Sequence, residues 1–216
     1  AEGFDARRAA AYVSRQMRTA PDALFLVCIG CNLPEDIRLR HPEDYWLDAK
    51  GEPCLGDDGH LFGGEAVPLA KKVYPWLSYS SPAWRHETKR MIAALIAELR
   101  RTGLAKRIVG VHFAGGHDGQ FCTAQPDSSK CAKAAFETSG EKDYVRFLKR
   151  LPQEMMDDFA REARKGFGKD ILVVRWCQRM FDGRYCSSHD IDAFEDSKEV
   201  DAIVTQPNYF HRSAGL

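Results

Sequence analysis

The sequence predicts an α/β fold of the (β/α)8, or TIM-barrel, type, present only in part, with parallel strands and crossover helices. Apolar strand segments alternate steadily with helical segments, which is typical of parallel strands joined by helices. The long polar loops follow the strands, as in barrels whose sites lie at the carboxyl ends of their strands. Only four strong strands occur in 216 residues, whereas a complete barrel takes about 250 residues. We therefore expect a single, partial barrel domain over 1–216.

Clear local sequence patterns predict the first helix and the first strand. Asp5 can cap a helix that runs to about Thr19, with Ala10 and Met17 on its apolar face. Residues 23–30, ALFLVCIG, form a continuous apolar run. Such a run predicts a strand that is covered on both faces.

A long irregular stretch, 31–81, separates this strand from the next helix. A loop of this length is unusual in a compact domain unless it builds a site. Ser81 and Pro82 predict the start of a helix, and Gly103 predicts its end just after Thr102. The segment 107–113, RIVGVHF, is then the second predicted strand.

The last third of the chain continues the alternation of helices and strands. The elements predicted there are helices over 143–150 and 153–165 with Gly166 as a C-cap, a strand over 171–176, a short acidic helix near 191–197 and a strand over 200–207.

Composition excludes two classes of partner. Lys plus Arg and Asp plus Glu both number 31, so the formal net charge is zero. Binding to nucleic acid needs a positive field, and an anionic membrane surface attracts basic chains. No apolar run approaches the roughly 18 residues of a membrane span. A partial barrel leaves strand edges open, so we expect a homo-oligomer or a completing chain as a partner.

The cysteines do not predict a metal site or a cofactor. Cys28 and Cys31 form a CxxC pair, but a zinc site needs a second pair at similar spacing. The ordinary interpretation is two buried thiols. Two further pairs flank polar loops and could form disulfides in an oxidising compartment. These pairs are Cys122 with Cys131 and Cys177 with Cys186.

Polar side chains cluster just past the predicted strands. Amides, imidazoles and carboxylates hydrogen-bond sugar hydroxyls, and the loop aromatics Trp46, Trp76 and Trp84 could supply flat faces for sugar rings. Loop tryptophans also commonly pack over the edge of a core. A metal site at His112, His117, Asp118 and His211 is a weaker alternative. The candidate contacts are Asn32, His112, His117, Asp118, Gln120, Arg175, Asn208 and Tyr209.

Three segments in order carry a resemblance to a known family. Residues 80–121, SSPAWRHETKRMIAALIAELRRTGLAKRIVGVHFAGGHDGQF, resemble the central part of β-galactosidase-like glycoside hydrolases, family 42 and its relatives. Residues 200–215, VDAIVTQPNYFHRSAG, resemble a later strand of that family, and residues 20–44 resemble an earlier one. The resemblance implies a (β/α)8 barrel that hydrolyses β-glycosides with retention, using two carboxylates.

The chain departs from this family at the acid/base position. The resemblance places the catalytic glutamate where this chain has Gln120, and an amide cannot transfer the proton. Asp118 is the alternative acid. The family's nucleophile lies on a strand after 200–207, so we expect it to be absent from this chain. The sequence thus predicts a glycoside hydrolase-like domain with impaired catalysis, or a non-catalytic carbohydrate-binding or scaffold protein of the same fold.

Overall fold

The computed structural model describes residues 4–57, 73–115, 121, 126–178 and 196–206. Their centre is a four-stranded parallel sheet, with described helices between its first and second strands and between its second and third strands. This confirms the predicted α/β arrangement of parallel strands and crossover helices. The strands lie in the order β1 (Phe25–Gly30), β4 (Ile108–Ala114), β5 (Leu172–Gln178) and β6 (Ala202–Gln206). A separate antiparallel ribbon pairs β2 (Leu55–Asp57) with β3 (Val73–Pro75).

Five helices accompany the described strands. Two predicted N-caps are confirmed: Asp5 accepts from the Arg8 N–H, and Ser81 accepts from the Trp84 N–H, both at 3.0 Å. Gly103 follows the third helix with a left-handed φ of 76°, as its predicted role requires. The helices are α1 (Ala6–Thr19), α2 (Glu35–Leu39), α3 (Pro82–Arg101), α4 (Lys130–Ser139) and α5 (Tyr144–Phe167).

The prediction of two helices over 143–165 is wrong, because α5 is one continuous helix with Pro152 inside it. A proline in a helix interior costs about 3 kcal/mol. The apolar face of α5 continues through the proline, and several of its large side chains are buried. Their burial offsets the missing hydrogen bond. These side chains include Phe147, Leu151, Met155, Met156 and Phe159.

The prediction that β1 is covered on both faces is also wrong. Val27 and Ile29 face the helices and are buried, whereas Leu26 is 49% exposed and Cys28 is exposed. Because neighbouring strands pair residue by residue, the same two faces continue across β4, β5 and β6. We call the side away from the helices the open face. Its described residues are Leu26, Cys28, Gly110, His112, Leu172, Val174, Ala202 and Val204.

The core lies between the sheet and the helices. Val111 and Val173 project from adjacent strands and are fully buried, as are Ile92 and Leu99 of α3. Arg107 fixes the start of β4 against the end of α1. Its guanidinium donates to the carbonyl oxygens of Met17, Ala20 and Ala23, at distances of 2.5 to 3.4 Å.

Sequence reasoning missed α2, α4 and the ribbon, all of which lie in stretches taken as loops. Both ends of α4 have residues that indicate a helix boundary. The Ser129 hydroxyl accepts from the Ala132 N–H as an N-cap, and Gly140 follows the helix with a φ of 75°. The predicted acidic helix falls mostly outside the described residues.

Among the described helices, none has both the length and the apolar character of a membrane span.

Candidate functional site

The carboxyl ends of β1 and β4 lie side by side. Gly30 pairs with Ala114, and the Cys31 N–H donates to the Ala114 carbonyl oxygen at 2.6 Å. This places Asn32 beside Gly115: a Cβ added at Gly115 would lie 3.2 Å from the Asn32 Oδ1 atom. The carboxyl ends of these two strands therefore bring Asn32 next to the glycine that begins the loop after β4.

His112 lies on the open face, two residues before the end of β4. Its Nδ1 is 3.2 Å from the carbonyl oxygen of Val174 on β5. A carbonyl oxygen can only accept, so Nδ1 carries the proton and Nε2 of the neutral ring is an acceptor. Burial lowers the pKa of His112, and the bond to Val174 opposes that shift in part. The ring is therefore neutral at pH 7 and suited to accept a hydrogen bond from a hydroxyl.

Arg175 lies on the other side of the sheet from His112. It is 3% exposed, and its guanidinium donates to the Gln153 Oε1 atom on α5. The Gln153 amide donates to Asp157 at 2.6 Å, and the Ser197 hydroxyl donates to the same carboxylate oxygen at 2.8 Å. These contacts join β5 to α5 and to the turn before β6. Arg175 is therefore buried and holds β5 against α5. Its role as a sugar contact stays a prediction.

Most of the aromatic residues assigned to sugar rings belong to the core. Trp46 is 3% exposed and Trp84 is 4% exposed, so neither offers a face to a ligand. Trp46 packs edge-on against Tyr79, and Trp84 packs against Phe121 and Phe159. The indole N–H of Trp84 donates to the Cys31 carbonyl oxygen at 2.9 Å. These rings therefore support the loop that carries Asn32.

A small cavity opens beside Asn32. Its accessible volume of about 30 Å³ suits roughly one water molecule. Trp76 lines the cavity and is only partly buried, and its indole N–H is buried with no hydrogen-bond partner among the described residues. Arg38 of α2 also lines it, and sequence reasoning missed this residue because arginine on a short helix gives no distinctive pattern. The lining residues are Asn32, Leu33, Arg38, Trp76, Leu77, Tyr79 and Trp84.

Several predicted site residues lie outside the described part of the chain. Gln120, Asp118, His117, Asn208 and Tyr209 belong to this group. Their roles stay predictions.

Four described cysteines, Cys28, Cys31, Cys54 and Cys131, carry free thiols. Cys31 is fully buried, while Cys28 lies on the open face, so the prediction that both are buried is wrong for Cys28. Cys131 is free and lies 3.2 Å from the Ser129 hydroxyl, so it is not in the disulfide considered for it. Within the described ranges, no three histidine, cysteine or acidic side chains are arranged to hold a metal ion.

The chain resembles two solved glycoside hydrolase structures. One is a β-galactosidase from the psychrophilic Marinomonas ef1, with a TM-score of 0.56 and 12% sequence identity, over 85% of this chain and 31% of that protein. The other is the PgaB (BpsB) glycoside hydrolase domain from Bordetella bronchiseptica, with a TM-score of 0.54 and 15% identity, over 95% of this chain and 55% of that one. This chain therefore spans only part of the length of either protein.

At these identities the likeness establishes the fold. The four parallel strands and their helices correspond to part of a TIM-barrel glycoside hydrolase. No family model matches the chain, and no curated protein matches its sequence.

Proposed function

We propose that this chain is a glycoside hydrolase-like domain that binds or acts on β-glycosides at the carboxyl edge of its sheet. The observation that carries the proposal is the meeting of β1 and β4 at that edge, which places Asn32 beside Gly115. These are the strands whose sequences resemble β-galactosidase-like enzymes of family 42 and its relatives. Ligand sites of barrels lie at this end of the strands.

Asn32 and His112 are the described side chains that we assign to sugar hydroxyls. A carboxamide offers both a donor and an acceptor, and the neutral His112 ring offers an acceptor at Nε2. A sugar hydroxyl can donate to one and accept from the other. His117, Asn208 and Tyr209 are proposed as further contacts on the resemblance and on their predicted positions after strands. Arg175 is proposed as a contact only because it lies near the carboxyl end of β5.

We assign Gln120 to the acid/base position. In a retaining mechanism one carboxylic acid protonates the leaving oxygen, and a carboxylate about 5 Å away attacks the anomeric carbon. Glutamine preserves the shape and the hydrogen bonds of glutamate but carries no transferable proton. Hydrolysis of glycosides with poor leaving groups is therefore blocked at this step, unless Asp118 supplies the proton. This substitution is also what favours the alternative function, a non-catalytic carbohydrate-binding or scaffold protein.

Turnover of aryl β-glycosides separates these two functions. Acidic phenols leave with little protonation, so Gln120 does not block their release. If the chain has a nucleophile, wild type releases such phenols, and Gln120→Glu extends turnover to alkyl glycosides by at least about 100-fold, a typical contribution of general acid catalysis. Sugar binding without phenol release by either protein indicates the non-catalytic function. Neither binding nor release, from folded protein, contradicts the proposal.

A further inference from the structure

The small cavity beside Asn32 is lined by side chains that donate hydrogen bonds. Arg38 is 7% exposed, and its guanidinium can only donate. The indole N–H of Trp76 can also only donate, and it is buried with no hydrogen-bond partner among the described residues. None of the described lining residues is acidic. The cavity therefore suits a ligand atom that accepts hydrogen bonds and carries negative charge.

Neighbouring residues hold Trp76 in place from both sides of its backbone. Its backbone N–H donates to the Cys54 carbonyl oxygen at 3.0 Å, and its carbonyl oxygen accepts from the Trp46 N–H at 2.7 Å. The Trp76 ring packs edge-on against the Trp46 ring, with 6.3 Å between the ring centroids. A buried donor without an acceptor is unfavourable, and an acceptor atom of a ligand would satisfy it.

We propose, on the basis of the proposed function, that this cavity is a subsite for the carboxylate of an acidic sugar and that Arg38 sets this specificity. Asn32 lines the cavity and also lies beside Gly115 at the carboxyl edge of the sheet. A glycoside that hydrogen-bonds Asn32 at that edge can therefore extend a substituent towards Arg38. Uronic acids are the sugar class that carries a carboxylate in place of the primary hydroxyl.

The size and the walls of the cavity fit a carboxylate oxygen. An accessible volume of about 30 Å³ suits one oxygen atom of a ligand in the place of a water molecule. The walls include Leu33 and Leu77, which are 2% and 6% exposed, and a charge-assisted hydrogen bond is stronger in such surroundings than in water. A sugar hydroxyl fits less well, because its own proton needs an acceptor that neither Arg38 nor Trp76 offers.

The other charged residues of α2 do not line the cavity. Glu35 and Asp36 are both exposed, and Asp36 pairs with Arg40, the C-cap of the helix, at 3.6 Å. Arg40 is exposed, whereas Arg38 is buried at the cavity. The two arginines carry the same charge in different environments, so Arg40 offers a matched control for Arg38.

Calorimetry of the wild-type chain at pH 7 tests the preference for a carboxylate. The probes are methyl β-D-glucuronide, the methyl ester of its carboxyl group and methyl β-D-glucoside, together with the same three compounds of the galactose series. We expect the acid of at least one series to bind at least about tenfold more tightly than its ester and its neutral glycoside, as a hydrogen bond to a charged group implies. No variant is needed for this comparison, so it does not depend on the folding of one.

Substitutions then assign the preference to the cavity. Arg38→Gln should weaken binding of the acid by at least about tenfold and leave binding of the neutral glycoside almost unchanged. Arg38→Lys should restore part of the preference, because it keeps the charge but not the planar guanidinium. Trp76→Phe keeps an aromatic ring without the N–H and should also weaken binding of the acid. Arg40→Gln should bind all probes as the wild type does.

The outcomes separate the subsite from the proposed function. If neutral glycosides bind and the acids bind no more tightly, the carboxylate subsite is overturned while the sugar site stands. A preference for the acid that survives Arg38→Gln in folded protein also overturns the assignment to this cavity. Folded wild-type protein that binds neither the acids nor the neutral glycosides contradicts the proposed function itself.

Discussion

At the scale of single residues, His112 has the most informative environment. Burial lowers the pKa of this ring below its ordinary value of 6.5, with the carbonyl of Val174 opposing part of the shift. Between the lowered and the ordinary pKa, the unfolded chain binds more protons at this ring than the folded chain. The free energy of unfolding that His112 contributes is therefore fully present above about pH 6.5 and is lost as the pH falls below it.

We predict that His112→Gln makes the stability of the protein less sensitive to acid. Urea unfolding at pH 7.5, 6.5 and 5.5 measures this, because the wild type should lose more free energy of unfolding on acidification than the variant. His86 is exposed on α3, so His86→Gln serves as the control and should retain the wild-type slope. Equal slopes for wild type and His112→Gln would contradict the assigned environment.

The sequence predicted where the candidate residues lie along the strands better than it predicted which face of the sheet each side chain occupies. Asn32 and His112 were expected after or near the ends of strands, and the structure places them there. Arg175 was grouped with them by position alone. Alternation along β5 sends Val173 and Arg175 towards the helices and Val174 towards the open face. β5 ends at Gln178, two residues after the predicted end, so Arg175 lies within the strand rather than after it.

At the scale of elements, the contact between α3 and α5 depends on Gly166. The sequence suggested that Gly166 ends the helix, but α5 continues to Phe167 and Gly168 is its C-cap. A Cβ on Gly166 would lie 2.7 Å from the Ile96 Cγ2 atom of α3. The role of this glycine is therefore close helix packing. Sequence could not show this, because it depends on a residue 70 positions away.

We predict that Gly166→Ala destabilises the protein by about 1–3 kcal/mol, the usual cost of overpacking. Helix propensity alone would give the opposite sign, by about 1 kcal/mol in favour of alanine. An Ile96→Ala background removes the two closest contacts and leaves only the Ile96 Cβ atom at 3.3 Å, so the same substitution should be neutral or stabilising there. A double-mutant cycle by urea unfolding measures the difference. Equal destabilisation in both backgrounds would refute the packing explanation.

The start of α3 supports a second prediction at this scale. Ser81 is fully buried, caps α3 through the Trp84 N–H and donates to the Asp44 Oδ2 atom at 2.5 Å. It thereby joins the helix to the loop that precedes the β2–β3 ribbon. Ser81→Ala removes both hydrogen bonds and leaves the carboxylate without this donor. We expect a loss of about 2–3 kcal/mol, above the roughly 1 kcal/mol of an ordinary cap.

Asp5→Ala is the matched control for this cap. Asp5 caps α1 but is exposed, and among the described contacts its side chain accepts only from the Arg8 N–H. Its loss should cost about 1 kcal/mol or less. Thermal or urea unfolding of both variants compares them. If the two substitutions cost the same, the contact with Asp44 does not stabilise the fold.

At the scale of the whole molecule, the alternation of strands and helices was enough to predict a parallel sheet, and the order of the strands confirms it. The sequence did not reveal that one face of the sheet is open. A continuous apolar run such as 23–30 normally marks a strand covered on both sides. In β1 the exposed positions, Leu26 and Cys28, are as apolar as the buried ones. This composition fits the lining of a barrel that closes only with further strands.

The measurement that tests the central claim most directly is calorimetry of the folded chain with a panel of β-galactosides, β-glucosides and β-glucuronides. The account predicts saturable binding of at least one of them, weakened at least tenfold by Asn32→Ala. Val145→Ala, a substitution at an exposed position of α5, should leave that binding unchanged. Folded protein that binds none of these glycosides, or that binds them equally well after Asn32→Ala, would contradict a sugar site at the carboxyl edge of the sheet.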